Sequence, residues 1–179
     1  MEEKEIKEIA EQLRCPSGEK GSQVATILEE SNAYMVNQTI NSLGKIKDLT
    51  LLELGPGNGY HLTNILENCQ KAYTVEISDL MYQKIEKRFP NEISTGVLIN
   101  LLGDGKTINI PNDTVDKAFT VNTIYFWSNP KKYLSEIGKC MKQGGDLFSQ
   151  LKNSPFLDMG LNYMMKIKSR ISARVQSSM

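Results

Sequence analysis

Apolar residues recur along this chain in two different rhythms. In residues 2–13, Ile6, Ile9, Ala10 and Leu13 fall three or four apart, the spacing of one helical face. A breaker, Cys15-Pro16-Ser17-Gly18, follows. Val24, Ile27 and Leu28, then Met35, Thr39, Ile40 and Leu43, predict two further helical faces ending near Gly44. Short apolar runs then take over at residues 50–54, 72–77, 97–102, 115–121 and 146–149. Between them lie helix-length connections, among them residues 80–88, with Asp79 as the expected N-cap, and residues 132–141. Gly144-Gly145 is expected to turn the chain into the last run. Strands alternating with helices predict right-handed crossovers and a parallel sheet. The expected order, 3-2-1-4-5, places a ligand outside the carboxyl ends of strands 1 and 4, where the order reverses.

The fold class expected is therefore α/β, a doubly wound and mostly parallel sheet. A single domain is predicted over residues 1–179: a helical cover over 1–45, a core over 46–150 and a tail over 151–179. In that tail Phe156, Met159, Tyr163, Ile167, Ile171 and Val175 fall on one helical stripe, with Lys166, Lys168, Arg170 and Arg174 beside or opposite it. Such a stripe is expected to lie against the domain, where it would cover strand 5.

Composition narrows the picture. The 179 residues suit one core, and 40% of them are apolar. The 21 basic residues balance the 21 acidic ones, so the basic excess of a nucleic-acid-binding domain is missing and no nucleic-acid partner is expected. No apolar run approaches the ~18 residues that cross a bilayer, so no stable membrane insertion is expected. Cys15, Cys69 and Cys140 are widely spaced and form no CxxC, which suits free thiols in a reducing cytoplasm and no metal site. The oligomeric state leaves no mark in the sequence.

The most informative stretch is Glu53-Leu54-Gly55-Pro56-Gly57-Asn58-Gly59. Glycines between a strand and a helix permit positive φ and let a ligand approach the backbone. A dinucleotide fingerprint would require a small residue at position 60, which is Tyr60. Glu76 follows at the end of strand 2, where a carboxylate can accept hydrogen bonds from both hydroxyls of a ribose. Glu53 has two readings: a buried carboxylate that orients the turn, or a surface residue. His61, the only histidine, is read mainly as a helix-surface residue, with direct chemistry as the lesser alternative. Asn122 and Tyr125 follow strand 4 at the carboxyl edge of the sheet, as polar contacts or, with Phe126 and Trp127, as an apolar pocket wall.

The E-x-G-x-G-x-G spacing resembles motif I of the class I S-adenosylmethionine-dependent methyltransferases. Residues 13–149 are similar to the small-molecule branch of that family. Gly103-Asp104-Gly105 resembles the element whose acidic residue contacts adenine, although a bland loop aspartate is the competing reading. Lys142-Gln143-Gly144-Gly145 resembles the family's K-P-G-G turn, with Gln143 in place of proline. Asn122 and Tyr125 have the spacing of the N-P-P-Y motif of amino-group methyltransferases, with Thr123 and Ile124 replacing both prolines. The stretch from Leu13 through Asn32 and Tyr34 resembles the family's lid.

The resemblance implies S-adenosyl-L-methionine as cofactor, held by Glu53, Gly55, Gly57, Gly59, Glu76, Asp104 and Asn122. Methyl transfer to a small molecule is the implied activity, with Asn122, Tyr125 and His61 as candidate catalytic groups. The family's C-terminal antiparallel strand pair is not visible after Gln150. A binding module with impaired turnover is therefore the alternative. A nucleotide-dependent oxidoreductase is disfavoured by Tyr60.

Overall fold

In the computed structural model, which describes residues 3–151, two helices precede an alternating α/β core. The tail expectation, residues 152–179, lies outside the described residues. The first helices are α1 (Glu3–Arg14) and α2 (Gly18–Ser42). The two helical faces expected between residues 24 and 43 form one continuous helix of 25 residues, because no Gly or Pro interrupts residues 22–42.

The core follows as β1 (Thr50–Leu54), α3 (Leu62–Leu66), β2 (Lys71–Glu76), α4 (Asp79–Arg88), α5 (Pro90–Ser94), β3 (Leu98–Leu102), β4 (Val115–Val121), α6 (Pro130–Cys140) and β5 (Met141–Gln150). The sheet has the expected order β3-β2-β1-β4-β5, and every pairing is parallel. All five residues of β1 are buried, which is the signature of a central strand covered on both faces. Alternate side chains separate into two cores. Leu52 and Leu54 pack with Tyr73, Val75, Trp127 and Tyr133 on one face. Leu51 packs with Leu43, Ile65, Ile85 and Phe119 on the other.

Two local expectations are corrected. Ser78, not Asp79, caps α4: its hydroxyl accepts the Met81 N–H at 3.2 Å, and Asp79 is the first helical residue. The β5 strand also begins earlier than expected, at Met141, and contains Gly144 and Gly145. Its register against β4 jumps from Val115↔Met141 to Lys117↔Asp146, so the glycines occupy a bulge. A Cβ at Gly145 would lie 2.9 Å from the Asp116 carbonyl oxygen, which explains the glycine there.

Candidate functional site

The carboxyl ends of β1, β2 and β4 open into a cavity of about 700 Å³, within the range of ligand pockets. The sequence residues Glu53, Gly55, Gly57, His61, Glu76, Asp104, Asn122 and Tyr125 all line it. Gly59 does not. A Cβ there would meet Ile85 and Leu62 side chains at 2.9 Å, so this third glycine serves packing beneath the turn.

Gly55, Gly57 and Gly59 all have positive φ, between 61° and 70°. At Gly57 (φ +61°) a Cβ would meet nothing within 4 Å, so the space beside this backbone is open. Several N–H groups of the turn nevertheless have partners within the chain. Gly55 donates to the Val75 carbonyl at 2.9 Å, Gly59 to Pro56 at 3.2 Å and Leu62 to Gly59 at 3.0 Å. Tyr60 donates to Asn58 Oδ1 at 3.1 Å, and Gly57 to Glu76 Oε2 at 3.0 Å. A phosphate cradle needs such donors free. These contacts leave Gly57 and Tyr60 without a free N–H for a phosphate.

Glu76 is 4% exposed and also accepts the Ser78 N–H at 2.8 Å. Burial pushes its carboxyl up to about 7, against the opposing pull of the Ser78 and Gly57 N–H groups, with Glu53 adding a smaller upward push. A buried carboxylate at the end of the second strand has lone pairs left for further donors, and a ribose diol matches that demand. Asp104 is exposed, and its carboxylate accepts the Lys106 N–H at 2.9 Å. That N–H, with the Lys106 ammonium 3.1 Å away, holds the Asp104 carboxyl below its ordinary value.

Glu53 and His61 answer the two questions left open by the sequence. Glu53 is 2% exposed and His61 is 5% exposed, so the helix-surface reading of His61 is overturned. His61 Nε2 lies 2.9 and 2.8 Å from the two Glu53 oxygens, while Nδ1 is buried without a hydrogen-bond partner among the described residues. A carboxylate on both sides of Nε2 requires the proton to be there. The partner of Glu53 is thus a side chain eight positions away, and not a backbone N–H.

Helix α2 contributes Asn32, named with the lid-like stretch, and Glu29, which the sequence did not single out. Glu29 and Asn32 are one turn apart and share a face. Glu29 accepts from Asn58 Nδ2 at 2.7 Å, and Asn32 Oδ1 accepts from Asn122 Nδ2 at 2.9 Å. Asn122 itself has φ +55°, a left-handed conformation that asparagine tolerates better than most residues. Its Oδ1 accepts from the Tyr125 hydroxyl at 3.2 Å. Below, the Ser78 hydroxyl donates to the Pro16 carbonyl at 2.5 Å. The α1–α2 segment is therefore tied by polar contacts to β1, β2 and β4 loops. Only the pairing of a polar i, i+3 step on α2 with two loop asparagines hinted at this.

Among the described residues no cluster of three or more His, Cys, Asp or Glu side chains forms a metal set. No helix among them is long and apolar enough to cross a membrane.

Residues 52–149 match the family model described as methyltransferase domain. An uncharacterized methyltransferase of Bacillus subtilis, YdaC, is 26% identical over 121 residues, covering 66% of this chain and 65% of its own. A tRNA U34 carboxymethyltransferase of Haemophilus ducreyi is 25% identical over 59% of this chain and 33% of its own. The chain thus spans less than two thirds of the length of these relatives. Among solved structures, a SAM dependent methyltransferase from Aquifex aeolicus superposes with a TM-score of 0.52 at 23% identity, covering 59% of this chain and 57% of that one. That likeness concerns the fold.

Proposed function

The chain belongs to the methyltransferase domain family, and from that premise we propose that it transfers a methyl group from S-adenosyl-L-methionine to a small molecule. The observation that carries this reading is the chemistry of the glycine turn. Its Gly57 and Tyr60 N–H groups are engaged within the chain, and carboxylates face the cavity beside it. A pyrophosphate would find no free donor at those two positions, whereas a sulfonium cofactor, being positively charged and free of phosphate, suits the turn.

The residues divide the work by position across the sheet. Asp104, after β3, faces the adenine end, and Glu76, at the end of β2, takes the ribose hydroxyls. Gly55 and Gly57 let the ligand pass close to the backbone of β1. Asn122, after β4, faces the far end of the cofactor. When bound, the cofactor supplies an electrophilic methyl: the acceptor's lone pair bonds to that carbon while the C–S bond breaks with its electron pair on sulfur. The protein's part is alignment, which alone can contribute ~7–11 kcal/mol. Helix α2, held by Glu29 and Asn32, lies over the reacting centre and limits access of water.

A small acceptor is favoured over RNA by the balanced net charge, 21 basic against 21 acidic residues, because phosphate-backbone binding requires a basic face. The test is formation of S-adenosylhomocysteine in the presence of small-molecule pools and of total RNA. Product formed with the former supports the proposal. Methyl incorporation into RNA alone would overturn it.

A further inference from the structure

Of the five large apolar side chains left exposed among the described residues, three converge on one place, while Tyr34 and Leu102 lie away from it. Leu13 (42% exposed), Ile27 (63%) and Tyr125 (44%) come from α1, from α2 and from the 3₁₀ turn Ile124–Phe126 after β4, yet all three line the same cavity. One exposed leucine is ordinary, whereas three at a single mouth mark a surface kept for an apolar ligand. Among the described residues Arg14 is the one lysine or arginine on the lining, against four carboxylates: Glu29, Glu53, Glu76 and Asp104.

Three of those carboxylates already have tasks. Glu53 holds His61, Glu76 holds the glycine turn and faces the ribose position, and Asp104 pairs with Lys106 toward β3. Glu29 is different. It projects from α2, half-buried, and meets the turn through Asn58 on the β1 side, where an acceptor must approach. Beside it the Tyr60 hydroxyl is buried and has no hydrogen-bond partner among the described residues, although it lines the same cavity. Burial raises the pKa of that hydroxyl, and Glu29 adds to the effect. A half-buried carboxylate at the cavity wall attracts cations and repels anions more strongly than one in open water. An ammonium N–H would also give the Tyr60 oxygen the partner it lacks. The aromatic faces of Tyr125 and Phe126 add attraction for a cation.

We propose, resting on the cofactor reading above, that the methyl acceptor is a lipophilic amine, seated on Leu13, Ile27 and Tyr125 and selected by Glu29 against anionic molecules. The amine reaches the cavity as its cation and gives up a proton to solvent before its nitrogen lone pair can react.

The experiment has two stages on the full chain. Calorimetry with S-adenosylhomocysteine comes first; absence of binding overturns the cofactor reading and this proposal with it. The loaded protein is then titrated with phenethylamine and with its carboxylate counterpart hydrocinnamate, followed through Trp127, the sole tryptophan, which lines the cavity. Phenethylamine is expected to bind about tenfold more tightly, and Glu29→Gln to erase most of that ratio, as expected for one partly screened charge pair. Ile27→Ser should weaken both probes and leave the ratio intact. Binding of S-adenosylhomocysteine with hydrocinnamate equal to or tighter than phenethylamine overturns the amine proposal alone. So does a ratio unchanged in Glu29→Gln.

Discussion

Glu76 Oε2 accepts the Gly57 N–H at 3.0 Å, which joins the end of β2 to the middle of the glycine turn. The contact makes the ligand-free site self-consistent, but it does so with a carboxyl that burial pushes up to about 7. Because the folded pKa lies above the ordinary value of 4.5, the folded state holds this proton more tightly than the unfolded chain. Glu76 therefore contributes most to stability below about pH 4.5, and that contribution is lost as pH rises through about 7. Its full size is about 3 kcal/mol. Melting temperature measured from pH 5 to 7.5 should fall less steeply in Glu76→Gln than in the wild type. Parallel slopes would contradict the assignment.

The same carboxyl governs binding. Ribose hydroxyls donate to the ionised form, so affinity for S-adenosylhomocysteine should rise as pH increases through about 7, with proton release to the buffer. Calorimetry in two buffers of different ionisation enthalpy reads that proton directly. Glu76→Ala should cost about 1.5–3 kcal/mol of binding. Asp104→Ala should cost less, since Asp104 is exposed and already paired with Lys106.

The glycines separate by role. Gly57→Ala places a methyl in open space at φ +61°, so it should lower stability by only about 1–2 kcal/mol while weakening cofactor binding strongly. Gly59→Ala drives its methyl against Ile85 and Leu62, and its main effect should be on melting temperature. Thermal scans and calorimetry on both variants check the contrast.

The buried pair behind the turn gives a third expectation. His61→Leu leaves the buried Glu53 carboxyl without its hydrogen-bond partner, which should cost about 1–3 kcal/mol. The double variant Glu53→Leu/His61→Leu should recover most of that loss, because removing both partners is cheaper than stranding one. Urea unfolding of the three proteins decides it. A double variant no more stable than His61→Leu would mean that the pair is not the unit of stability here.

Much of this architecture was legible in the sequence because its signals are local. The run from residue 50 to the turn at Gly55 must be a buried strand followed by a turn with positive φ, and Glu76 follows at the distance of a second strand. The parallel pairing followed from the helix-length connections between strands. What escaped depends on contacts between distant residues. His61 looks like a surface residue at a helix start until Glu53, eight residues back, is seen beneath it. Glu29 and Asn32 look like the solvent face of a helix, and only the folded chain brings Asn58 and Asn122 to them. The bulge at Gly144-Gly145 was read as a turn because glycine pairs signal both.

The central claim is that the cavity over β1 and β4 holds S-adenosyl-L-methionine and no dinucleotide. Calorimetry on the full chain with S-adenosyl-L-methionine, S-adenosylhomocysteine and NAD tests it most directly. The first two should bind in the micromolar range, and NAD should give no heat of binding, because Gly57 and Tyr60 have no free N–H for its pyrophosphate. Binding of NAD more tightly than either sulfur compound would contradict the account.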